Sequence, residues 1–82
     1  MEAIFRMPYG LQVECEFDDS TTVNEAIAAF VDEGLLVDLE PYNYYVIAIN
    51  GGGRARGDQT LVSAGVDDGS IIEVLAVYIG SQ

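Results

Sequence analysis

Only one stretch of the sequence carries the periodicity of a long helix, and that limits the fold more than any other feature. In DDSTTVNEAIAAFVDEGLL (18–36) the residues Val23, Ala26, Ile27, Phe30 and Val31 recur at helical spacing and make one apolar stripe. Thr22 followed by Glu25 has the pattern of a capping box, in which hydroxyl and carboxylate each satisfy an orphan backbone N–H. Gly34 provides the left-handed residue that stops a helix. A lone amphipathic helix must bury its stripe against something else, and the remaining patterned runs are strands.

EAIFRM (2–7) and LQVECEF (11–17) are two such runs, separated by Pro8-Tyr9-Gly10, and read as a hairpin. In the second, Leu11, Val13, Cys15 and Phe17 alternate with Gln12, Glu14 and Glu16, the pattern of a sheet covered on one side. YYVIAI (44–49) is a third strand, led in by an aromatic cluster of Tyr42, Tyr44 and Tyr45. A turn signal at 50–53 follows, then a short edge strand at Arg54-Ala55-Arg56. Thr60-Leu61 opens a short helical turn. Asp67-Asp68-Gly69 turns into a last strand, IIEVLAVY (71–78). One helix covers one face of a sheet, so the expected class is α+β. The expected architecture is a β-grasp in ββαββ order, with the short edge strand before the last one. Its mixed sheet packs on one helix, and the final strand lies centrally beside the first. The 82 residues are read as a single domain, 1–82, whose core is thin because so short a chain buries only ~60% of its unfolded surface.

Fourteen carboxylates stand against three arginines and no lysine, giving a net charge of −11. Such a charge disfavours nucleic acid and anionic membrane as partners and favours basic protein surfaces. The lack of lysine has two readings: a modifier with no amine for attachment to itself, or a GC-rich or salt-adapted genome. No apolar run approaches the ~20 residues of a membrane span, and no signal-like segment opens the sequence, so a cytoplasmic protein is expected. Cys15 is the single cysteine and reads as a small core residue. Without histidine, His-based catalysis and His-ligated metals drop out, and no carboxylate pair has an acid–base setting. No cofactor, no metal and no catalysis by this chain are expected. Gly51-Gly52-Gly53-Arg54 leads to a strand, not to the helix a phosphate cradle needs. Arg56-Gly57-Asp58 spells an adhesion tripeptide by chance.

The last strand is apolar on both sides. Ile72, Val74, Ala76 and Tyr78 share one face; Ile71, Glu73, Leu75 and Val77 share the other. A strand beneath one helix needs one apolar face, so the second set is read as a partner-binding surface.

The order Ile49-Asn50-Gly51, Leu61, Asp68-Gly69-Ser70, Ile72-Glu73-Val74 and Val77-Tyr78-Ile79-Gly80 resembles the second half of the ThiS/MoaD sulfur-carrier family, small relatives of ubiquitin. The hairpin and the capped helix match that family in order and length as well. The resemblance implies a flexible tail, here Tyr78, Ile79 and Gly80, whose terminal carboxylate is adenylated and then converted to a thiocarboxylate or passed on. It implies an adenylating enzyme or a sulfur-accepting synthase subunit as the protein partner. Gly80 takes the place of the penultimate glycine, Ser81 replaces the last one, and Gln82 extends beyond it. Cleavage after Gly80 would restore a glycine terminus. With the tail inert, the chain is instead a non-conjugated interaction module or accessory subunit that works through its sheet face alone.

Overall fold

The computed structural model describes residues 1–39, 43–49 and 53–78. Its elements run β1 (Glu2–Arg6), β2 (Gln12–Glu16), α1 (Val23–Asp32), β3 (Tyr44–Ile49), β4 (Arg54–Ala55) and β5 (Ile71–Val77). The five strands form one sheet in the order β2-β1-β5-β3-β4. β5 runs parallel to β1 and antiparallel to β3, and the other pairs are antiparallel. This is the expected mixed sheet with the last strand in the middle, and the expected β-grasp.

Each local signal in the sequence becomes a specific contact. Thr22 Oγ1 accepts from the Glu25 N–H at 3.1 Å, while a Glu25 carboxylate oxygen accepts from the Thr22 N–H at 2.9 Å. At the other end of α1, Gly34 takes φ +79°. Its N–H reaches the Val31 carbonyl at 3.0 Å and that of Leu35 reaches Phe30 at 2.8 Å, the paired bonds of a Schellman motif. The hairpin closes through Met7 N–H to Leu11 O, 2.7 Å. At Thr60 the chain makes the anticipated helical turn, with Ala64 N–H on the Thr60 carbonyl at 3.0 Å. Gly69, at φ +84°, lets the chain turn tightly enough for its N–H to bond Glu2 O at 2.7 Å, setting β5 beside β1.

The core lies between α1 and the inner sheet face. Val23, Ala26 and Phe30 of the helix meet Phe5, Ile47, Ile72 and Val74 of the sheet, with Leu61 and Val66 closing one end. Phe5 and Phe30 meet edge-to-face with centroids 5.2 Å apart. Burying a ring of this size contributes ~1.5–3 kcal/mol, so these two anchor a small core.

One sequence expectation changes. Leu11 precedes β2 and is 45% exposed, so the inward set of that run begins at Val13. At the start of β3, strand alternation sends Tyr45 to the core and Tyr44 to the opposite face, and both border one groove. Tyr42, like the turn at 50–52, lies outside the described residues. Within the adhesion-like tripeptide, Gly57 O accepts from the Asn24 N–H at 2.9 Å and Asp58 from the Asn24 side chain at 3.3 Å.

Candidate protein-binding face

Alternation along β5 divides its side chains cleanly. Ile72 and Val74 are buried under the helix; Ile71, Glu73, Leu75 and Val77 stand on the outer face. Neighbouring strands extend that face through residues directly opposite, which share a side of the sheet. Leu75 lies opposite Val46, Val77 opposite Tyr44, and Glu73 opposite both Ala48 and Arg6. Ile71 lies opposite Ile4, and Ala48 opposite Arg54.

The outer face therefore carries two apolar islands separated by a polar row. Ile4 and Ile71 form one; Val46, Leu75, Val77 and Tyr44 form the other. Between them runs Gln12–Arg6–Glu73–Ala48–Arg54. Arg6 Nη1 pairs with Glu73 Oε1 at 3.2 Å. With the Gln12 amide carbonyl turned inward, its oxygen accepts from Arg6 Nη2 and Nε at 3.1 and 3.3 Å. This exposed pair is worth at most ~1 kcal/mol, so it orders the row more than it stabilises the fold.

Val46 is the residue that sequence reading missed. It is 5% exposed yet stands apart from the helix-side core. Its cover comes from the outside: Leu75 lies opposite it, and continuing the β3–β4 register by one residue brings Arg56 to its other side. The Arg56 guanidinium lies 4.4 Å from the centre of the Tyr44 ring, so its aliphatic stem passes over the strand. The available signal was the alternation in YYVIAI, which puts Val46 out of phase with Ile47 and Ile49 and in phase with Tyr44.

Tyr78 follows β5 and is 61% exposed; Ile79 and Gly80 lie outside the described residues. On the helix side of the β5 end, Tyr45 donates its hydroxyl to Val37 O at 2.7 Å, and burial, with the nearby Tyr78 phenol adding to it, pushes the Tyr45 pKa up. A groove of about 420 Å³ lies along α1, lined by Ile27, Val31, Asp32, Asp38, Tyr44 and Tyr45 among others. Among the described residues no three His, Cys, Asp or Glu side chains gather as a metal site, and no helix is long and apolar enough to cross a membrane.

No protein-family model and no curated protein sequence matches this chain. Among solved structures it is similar to a ubiquitin-like protein from the hyperthermophilic archaeon Caldiarchaeum subterraneum. The two superpose with a TM-score of 0.54 over 98% of this chain and 100% of the other, at 21% identity. The fold is ubiquitin-like. In this ubiquitin-like chain the helix occupies one side of the sheet, and among the described residues no helix covers the other side, with its apolar islands and arginines.

Proposed function

We propose that this chain is a small ubiquitin-like protein of ThiS/MoaD sulfur-carrier or modifier type. It acts by presenting its C-terminal tail and outer sheet face to an adenylating or sulfur-accepting enzyme. One observation carries the reading: the central strand β5 holds Leu75 and Val77 on the open face and leads directly into exposed Tyr78 and the tail. A partner seated on that face is within a few residues' reach of Gly80, each extended residue spanning ~3.3 Å. The order of motifs from Ile49 to Gly80 supports the same reading. The chain is then a cytoplasmic protein substrate and not a catalyst. Hydrolysis of the Gly80–Ser81 bond frees a glycine carboxylate, and attack of that carboxylate on ATP forms an acyl-adenylate with release of pyrophosphate. Glycine suits the task because its lack of a side chain lets the terminus enter a narrow active site.

The second reading, an interaction module with an inert tail, is favoured by Ser81 and Gln82 standing after Gly80. Incubation with ATP, the adenylating enzyme, a sulfide donor and a cell extract of the same organism to supply a peptidase, followed by intact-mass measurement, separates the two. The carrier reading expects loss of Ser81-Gln82 and a thiocarboxylate at Gly80. An unchanged mass, with partner binding intact after deletion of 80–82, eliminates it.

A further inference from the structure

We infer that the surface docking on the outer sheet face presents apolar side chains rimmed by carboxylates. This rests on the reading of that face as the docking surface and adds the chemistry of the partner. The net charge of −11 alone points to a basic partner, but the fold distributes the charge unevenly. Every positively charged side chain of the protein lies on this one face. Arg6 stands opposite Glu73, Arg54 opposite Ala48, and Arg56 over Tyr44.

Arg54 and Arg56 are exposed and bracket the island of Val46, Leu75, Val77 and Tyr44 along its β4 side. Among the described residues, the carboxylate in register with that half of the face is Glu73, and Arg6 occupies it. Glu14 lies on β2, opposite Ile4 and beyond the polar row, and Glu2 and Glu16 pair with each other further along β1 and β2. Asp58 is turned toward the helix, where Asn24 holds it, and Asp32 and Asp38 border the groove on the helix side.

Protection of a sheet edge against aggregation accounts for a charge on β4 but not for this set. Arg6 is on β1, which is paired on both sides, and Arg56 is held over an aromatic ring at the margin of an apolar island. Arginine and tyrosine around a dry centre are the residue types that dominate binding energy at protein interfaces. A guanidinium also offers a carboxylate a planar, two-pronged donor. The remaining acidic surface repels an acidic partner at long range, so the preference is expressed at contact distance, where Arg54 and Arg56 border the island and Glu73 is paired with Arg6.

The test is an amide NMR titration of the full chain at ~0.15 M salt, where screening over ~8 Å suppresses the long-range repulsion. Two peptides are compared that share the same leucine and phenylalanine residues and differ only in having glutamate or lysine between them. The glutamate peptide is expected to shift Val46, Leu75 and Val77 at about one-tenth the concentration the lysine peptide needs, an ordinary size for complementary charge at an interface. Arg54→Glu with Arg56→Glu should reverse that order, and Arg54→Gln with Arg56→Gln should abolish it, with the rest of the spectrum reporting an intact fold. A lysine-peptide preference at these three residues, or an order unmoved by the arginine changes, overturns the inference while leaving the face a docking site. Shifts confined to the helix-side groove, or absent, overturn the docking reading itself. So do shifts on the face that follow protein concentration alone, or that an RNA oligonucleotide produces at lower concentration than the glutamate peptide.

Discussion

At the scale of single residues, Leu75 is the most informative position. It is half-buried on the outer face opposite Val46 and contributes nothing to the helix-side core. Leu75→Asp should therefore weaken partner binding by ~2 kcal/mol or more, the size of an interface hot spot, and leave the fold intact. Calorimetry beside a thermal melt checks both halves, and unimpaired binding would remove the face from the account. Three titrating groups shape the pH profile. Burial, then the Glu33 and Glu16 carboxylates, raise the Cys15 thiol, and burial raises Tyr45. For both, the folded state keeps its proton longer than the unfolded one. Their contribution is complete below the unfolded values, ~8.5 and ~10, and is lost as pH climbs past them. Asp18 works in reverse. Its carboxylate accepts from the Ser20 hydroxyl and N–H at 2.7 and 2.9 Å, which lowers its pKa. The stability it supplies is present above the unfolded carboxylate range and disappears as pH falls through the folded value. Urea midpoints should decline on both the acid and the alkaline side, and Cys15→Val should flatten the first part of the alkaline arm. Cys15 itself should be alkylated more slowly at pH 8 in the folded chain than in urea, because the thiolate is the reactive form.

At the scale of elements, the helix start is the clearest case of a local code. Thr22→Ala removes the oxygen that holds the Glu25 N–H and should cost ~1 kcal/mol, read from the denaturation midpoint; Thr22→Ser should restore most of it. The helix, its two ends, the hairpin and the last strand were legible in the sequence because each is written within a few residues, as a cap, a turn or an alternation. The outer face was legible only in part. Ile71, Glu73, Leu75 and Val77 lie on one strand, and their common side follows from alternation alone. That Val46 and Tyr44 join them depends on the β3–β5 register, and that Arg54 and Arg56 border them depends on β4, pairings between segments distant in the chain. Tyr44 and Tyr45 are neighbours in sequence and divide their roles between the outer face and the core. In a strand, adjacency means opposite faces.

At the scale of the whole molecule, the fold separates what the composition averages. A net charge of −11 describes a uniformly acidic body, whereas the sheet gathers all three arginines on the side away from the helix. The same topology sets β5 between β1 and β3, so the strand that leads to the tail also forms the middle of the open face. On the proposed reading, tail and face act as one presenting surface, and a partner that takes one should take the other. Hydrogen exchange of the chain, free and mixed with ATP and its adenylating enzyme, tests this directly. The account predicts that amides of Val46, Leu75 and Val77 slow down together with those of Ile79 and Gly80. Slowing along α1 and its groove, with the sheet and tail amides unchanged, would contradict it.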